Sequence, residues 1–163
     1  RVLRPLGLDR ATYNPGAASS VATAYAEDGS VRQPLRYLSH AAAGLYSTIG
    51  DLATFACASL RQAGRRPGRG VIREDSLAEM FTPHGLADRT PDYQFETGLG
   101  HLLLSQGGRL NVHHSGGSIG WRSIFSIYPE LGDGICMLVN SDGGNALWQP
   151  IVRAWREEIV AGN

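Results

Sequence analysis

The chain has 163 residues, 42% of them hydrophobic and 18% charged, a balance that excludes a disordered polymer and fits one domain of common size. Fifteen basic residues offset fifteen acidic ones, so there is no net charge to draw nucleic acid or an anionic membrane. All the basic residues are arginine, and the absence of lysine excludes from this chain any mechanism that needs one.

Residues 1–16 form a segment punctuated by Pro and Gly, with Pro5-Leu6-Gly7-Leu8 at its centre. Two short strands are expected over 21–26 and 31–35, around the Asp28-Gly29 turn signal. Residues 40–44 are a small-residue approach to the first clear helix, which starts near Thr48. Thr48 with Asp51 three positions on resembles a capping box, Asp standing for the usual Glu. Leu52, Phe55, Ala56, Ser59 and Leu60 keep helical spacing, and Gly64 is expected to end the helix. A basic loop covers 65–70, a second helix 74–81 with Pro83 beyond it, and a loop 86–93. From Phe95 the period becomes that of strands: 95–105, a turn at Gln106-Gly107-Gly108, then 110–114, 122–128 and 135–140, with a hairpin connection over 129–134. Short turns imply antiparallel neighbours. Residues 135–139 are apolar on both faces, which predicts a strand covered on both sides. A final helix over 146–160 places Trp148, Ile151, Val152, Trp155 and Ile159 on one stripe that should lie across the sheet.

Cys57 and Cys136 lie far apart in apolar surroundings and read as buried free thiols; their spacing suits no metal site. No stretch reaches the roughly 18 consecutive apolar residues of a membrane span, and nothing in the chain calls for a metal or cofactor. The chain opens on Arg1 with no initiating Met and is expected to be a piece whose preceding half is not included.

The densest chemical signal is 109–121, where a strand pattern runs through His113, His114 and Ser115 into Gly116, Gly117 and Gly120. It reads as the floor of a site. Gly116-Gly117-Ser118-Ile119-Gly120 matches the nucleophile elbow of α/β-hydrolases, which needs a strand before and a helix after. Here a strand follows, and all five histidines precede Ser118, so the bland reading of a loop hydroxyl is favoured. Adjacent strand residues point to opposite faces, so His113 and His114 cannot readily share a metal. Isolated histidines at strand ends are more often simply hydrogen-bonded than catalytic.

His114-Ser115-Gly116-Gly117, followed by Gly120-Trp121, a strand, a hairpin and Leu138-Val139-Asn140, resembles the serine β-lactamase and penicillin-binding-protein superfamily. The branch it is most similar to holds class C β-lactamases, D-aminopeptidases, D,D-carboxypeptidases and esterases. His114-Ser115-Gly116 matches the His form of that family's third active-site motif. Pro5-Leu6-Gly7-Leu8 resembles its Pro-Leu-Gly-Met segment. Ala43-Gly44-Leu45-Tyr46-Ser47-Thr48 resembles the start of its Gly-Gly-Leu-x-Ser-Thr helix. Gly98-Leu99-Gly100 resembles its Gly-Leu-Gly-Trp strand, with His101 in place of Trp.

The resemblance implies an α+β fold, an antiparallel sheet flanked by helices and incomplete without the N-terminal half. Residues 1–93 would be loops and helices of the helical lobe, and 94–163 the strands and C-terminal helix. It also implies a serine hydrolase that works through an acyl-enzyme on an amide, ester or β-lactam. In that reading the Gly117 N–H is an oxyanion donor and His114 takes the place of the family's lysine near the proton-transfer centre. Ser115 offers its hydroxyl to the substrate, Gly116 belongs to the substrate-binding strand, and Asn145 helps bind a carboxylate or else caps the last helix. A His third motif leans towards esterase or D-peptidase activity. The partners implied are a small-molecule or peptide-like substrate and the missing N-terminal half, with no nucleic acid.

Two family motifs are missing: Ser-x-x-Lys is impossible without lysine, and Tyr-x-Asn is absent. Tyr37-Leu38-Ser39 has the variant form but follows Pro-Leu-Gly where the family's motif precedes it, so the tyrosine role is not carried onto it. Both motifs normally precede Pro-Leu-Gly, and truncation explains their absence more simply than loss of function. The rival readings are a non-catalytic binding module that kept the fold, and an α/β-hydrolase using Ser118.

Overall fold

A computed structural model describes residues 1–14, 16, 20–33, 38–62, 64–89 and 94–162, the side chains of 86–89 excepted. In chain order the elements are β1 (Ala24–Tyr25), β2 (Val31–Arg32), α1 (His40–Ala43), α2 (Ile49–Ala58), α3 (Glu74–Met80), β3 (Gly85–Arg89), β4 (Gln94–Thr97), β5 (Leu102–Gln106), β6 (Arg109–Ser118), β7 (Trp121–Tyr128), β8 (Asp133–Val139) and α4 (Gly144–Ala161). Strands β3 to β8 form one antiparallel sheet in sequence order, and β1 pairs with β2. The fold is therefore α+β, an antiparallel sheet flanked by helices.

Local chemistry sets several boundaries. Thr48 caps α2, its Oγ1 accepting the Asp51 N–H at 3.2 Å. The Asp51 carboxylate does not return to close the box; it accepts the Arg10 N–H at 3.1 Å and so ties the first segment to the helix. Gly107 and Gly108 have φ of +57° and +72°, the pair of left-handed residues that a tight two-residue hairpin between β5 and β6 requires. Gly120 closes the β6–β7 hairpin at φ +75°, and a Cβ there would come within 2.6 Å of Ala24 Cβ.

Both faces of the sheet are packed. Leu103, Val112, Phe125 and Ile127 share one face and meet Ala56 and Leu60 at and beyond the end of α2, with Phe55 edge-on to Phe125 at 5.8 Å. The opposite face meets α4, where Val152 is buried and Trp155 stands 5.4 Å from the Tyr128 ring. Helix α2 thus stands directly on the strands.

Several expectations need correction. Helix α2 ends at Ala58 and not at Gly64, because Leu60 turns into the core and the next residues are held from outside: Arg61 N–H bonds Pro129 O, and Gly68 N–H bonds Ala58 O. The single strand expected over 95–105 is two strands. A turn separates them, in which the Gly98 N–H bonds His101 O and the Leu99 N–H bonds Met80 O. Part of the loop expected over 86–93 is strand β3, paired with β4; residues 90–93 lie outside the described residues. Strand β2 is shorter than the expected 31–35, of which 34 and 35 lie outside the described residues. Strand β6 does not stop at the glycines but runs through them to Ser118, held by β7. On β8 Leu138 is 41% exposed, so that strand is not covered along its whole length. On α4 the buried stripe leaves out Ile151, which is exposed, and takes in half-buried Arg156.

Candidate active site

The register around β6 decides which of its groups are open. Leu102 is opposite His113, and that is the last pair between β5 and β6. On the other side β7 stays paired to β6 from Val112 to Ser118. A two-residue hairpin closes on a pair that exchanges main-chain hydrogen bonds, so Arg109 is directed at β5, and with it Asn111 and His113. By the same alternation the main-chain groups of Ser115 and Gly117 face away from β7. Among the described residues no strand pairs with that stretch of edge.

The side chains alternate as well. His114 shares a face with Phe125, and Ser115 and Gly117 share the opposite one with Ile124 and Arg122. Residues His114, Ser115, Gly116 and Gly117 are exposed. His113 is buried on the α4 face, where its Nδ1 has no hydrogen-bond partner among the described residues. Burial first, and the nearby Arg156 charge next, lower its pKa to about 3, so it is a neutral core residue at neutral pH. Beside it Ser126 donates to Asn111 Oδ1 at 2.9 Å and accepts from Arg156 Nη2 at 3.0 Å.

Beyond Gly117 the chain is clamped. Arg122 Nη1 donates to the carbonyls of Ser118 and Trp121, at 2.6 and 2.7 Å, and lies 3.4 Å from Asp142 Oδ1. The same carboxylate oxygen accepts the Gly120 N–H at 2.7 Å, and Oδ2 meets Arg32 Nε at 3.2 Å. These bonds, the Gly120 N–H above all, hold the Asp142 carboxyl below its usual pKa. A shallow open depression of about 400 Å³ lies here, lined by Gly117, Ser118, Ile119, Arg122 and Asp142.

The sequence-derived site residues do not all come together. His114, Ser115, Gly116 and Gly117 form one continuous exposed stretch of β6. Asn145 is exposed in the first turn of α4 and accepts the Trp148 indole N–H at 2.9 Å. It does not cap the helix: the N-cap is Gly143, which makes no side-chain cap bond. Asn140 is turned to the Thr23 carbonyl at 2.7 Å. The nucleophile-elbow reading of Ser118 fails, because β7 begins at Trp121 and the motif is strand–turn–strand. Tyr37 lies outside the described residues.

Sequence reasoning gave no role to Arg122 or Asp142, and it noted His101 only as a replacement.

The sequence profile of the beta-lactamase family matches residues 1–158. Among solved structures the chain is similar to an octameric penicillin-binding protein homologue from Pyrococcus abyssi, at 24% identity and a TM-score of 0.71, covering 87% of this chain and 32% of that one. SurE with D-Leu is similar at 29% identity and 0.72, covering 96% and 36%. A beta-lactamase/D-alanine carboxypeptidase from Pseudomonas syringae shares the fold, at 15% identity and 0.65, covering 87% and 47%. The chain therefore spans a third to about half the length of these structures. No curated protein matches it. Among the described residues no helix is long and apolar enough to cross a membrane.

Proposed function

The chain belongs to the beta-lactamase family, and from that premise we propose that it supplies the substrate-binding strand and half the oxyanion hole of a serine hydrolase acting through an acyl-enzyme. The observation that carries this reading is the exposed run His114-Ser115-Gly116-Gly117 on a strand whose edge is unpaired among the described residues. The Gly117 N–H faces that edge and would donate to the oxyanion that develops when a serine attacks a carbonyl. Ser115 and Gly116 would bind the substrate, and His114 would stand at the proton-transfer centre. Asn145 would bind a substrate carboxylate through the side-chain amide that its bond to Trp148 leaves over. A His third motif favours an ester or a D-peptide over a β-lactam as substrate, and the D-Leu carried by a similar solved structure supports the D-peptide.

Nucleophile, lysine and tyrosine act as a unit in such sites, and such units are strongly non-additive. A chain with no lysine cannot supply Ser-x-x-Lys. The 163-residue chain alone is therefore expected to form no stable acyl-enzyme. Activity would require a segment that carries that motif, joined covalently or added in trans. The test is a fluorophosphonate probe with a chromogenic ester, any label being located by mass spectrometry. Stoichiometric labelling of Ser115 or Ser118 with turnover would overturn the assignment. In the protein that includes the motif, His114→Ala should lower turnover at least tenfold, while stability, for an exposed side chain, changes by no more than about 0.5 kcal/mol. A longer protein that carries the motif and still takes no label would be a binding module with this fold.

A further inference from the structure

The peptide that carries the Gly117 N–H joins two glycines. Gly116 and Gly117 have no side chains to restrain them, and past His113 their strand is paired on one side only among the described residues. A donor that is to stabilise an oxyanion needs the opposite condition, since it must be aimed before the charge develops. One side chain supplies what the glycines lack. Arg122 is the β7 partner of Gly117 and lies on the same face of the sheet. A Cβ at Gly117 would meet Arg122 Cδ at 3.5 Å, Nη1 at 3.6 Å and Nε at 3.7 Å, so the arginine lies directly against the place of the missing side chain. On its other flank, a Cβ at Gly144 would come within 3.1 Å of Arg122 Cγ. The stem therefore runs in a slot bounded by two glycines.

The head of the same side chain is fixed. Its Nη1 donates to Ser118 O at 2.6 Å and to Trp121 O at 2.7 Å, the two residues that close the β6–β7 hairpin. Asp142 Oδ1 stands 3.4 Å from that nitrogen and is itself held by the Gly120 N–H, while Oδ2 is held by Arg32. We propose that Arg122 is a positioning residue for the Gly117 N–H: its guanidinium staples the end of the hairpin and packs over Gly117, which keeps that N–H directed out of the unpaired edge. The consequence for catalysis rests on the hydrolase reading, but the geometry does not. Arginine suits the task because its planar fork is already shaped to serve several acceptors while its stem fills the slot.

Backbone amide nitrogen relaxation of the chain, recorded without substrate, tests the arrangement. Gly116 and Gly117 are expected to be as ordered as the centre of β7, with order parameters of about 0.85. In Arg122→Met, which keeps the stem and loses the donor, those two values should fall towards about 0.6 while the centre of β7 is unchanged. Arg122→Lys, which keeps a donor and the charge, should lie between. Asp142→Asn keeps an acceptor for the Gly120 N–H but not the charge that holds Nη1; it should also lie between, and it decides the matter if Arg122→Met does not fold. Order at Gly117 equal to wild type in these variants, or a loss spread evenly along β7, would overturn the proposal. In a longer protein that carries Ser-x-x-Lys, Arg122→Met should lower kcat about tenfold or more with KM little changed, and Arg122→Lys should recover part of the loss. A raised KM with kcat unchanged would make Arg122 a substrate-binding residue and overturn the positioning role. A longer protein with no turnover at all would remove the hydrolase reading and leave the order parameters intact, so the two readings fail separately.

Discussion

His113 makes the fold sensitive to acid, and by a calculable amount. It is 6% exposed, wedged between Phe95 at 5.4 Å and the side of α4 that carries Arg156. Its pKa falls from 6.5 to about 3, first through burial and then through the charges of Arg156, His114 and His101. The unfolded chain then binds more protons than the native one wherever the pH lies between these values. This part of the stability is complete above pH 6.5 and is lost as the pH falls towards 3. The slope is about 1.4 kcal/mol per pH unit, and the whole window amounts to on the order of 5 kcal/mol. That approaches the net stability of an ordinary domain, about 5–15 kcal/mol. Carboxylates titrate over the same range, so the measurement is a difference: urea unfolding of wild type and of His113→Phe at half-unit steps of pH. Wild type should lose stability more steeply than the variant by about 1 kcal/mol per unit below pH 6. Parallel curves would refute a buried neutral imidazole.

Further outcomes are expected at three places. Thr48→Ala removes the only side-chain acceptor at the start of α2 among the described residues and should cost about 1 kcal/mol in chemical denaturation. Gly120→Ala meets both a φ of +75° and a contact of 2.6 Å with Ala24, so it should cost more than about 1 kcal/mol and loosen β1 from the β6–β7 turn. Asp142→Ala deletes the acceptor of the Gly120 N–H and both arginine contacts, and hydrogen exchange at Gly120 should accelerate while amides in the centre of β7 keep their protection.

Much of this molecule was legible in its sequence wherever neighbours in the chain settle the structure. A threonine followed by a helical period forecasts a cap, and Thr48 makes one. Two glycines between alternating runs forecast a two-residue hairpin, and β5 and β6 are joined that way. The run 121–128, rich in β-branched and aromatic residues, forecasts a strand, and that strand removes the elbow reading of Ser118. Strand alternation also places His113 and His114 on opposite faces.

Tertiary structure decided what depends on partners remote in sequence. Alternation cannot say which of two opposite faces is buried; α4 covers His113, and nothing described covers His114. Residues 95–105 read as one strand because the pattern hardly breaks, yet the Met80 carbonyl draws Leu99 out and folds a turn there. The strand expected over 110–114 stops short of Gly116 and Gly117 because glycine has weak strand preference, yet pairing to Ser123 and Arg122 keeps them extended. Asn145 sits where a cap would be sought, but the helix begins at Gly144 and its amide turns to Trp148. In each case a hydrogen bond or a packed ring supplied from elsewhere in the chain outweighs a local preference worth about 1 kcal/mol or less.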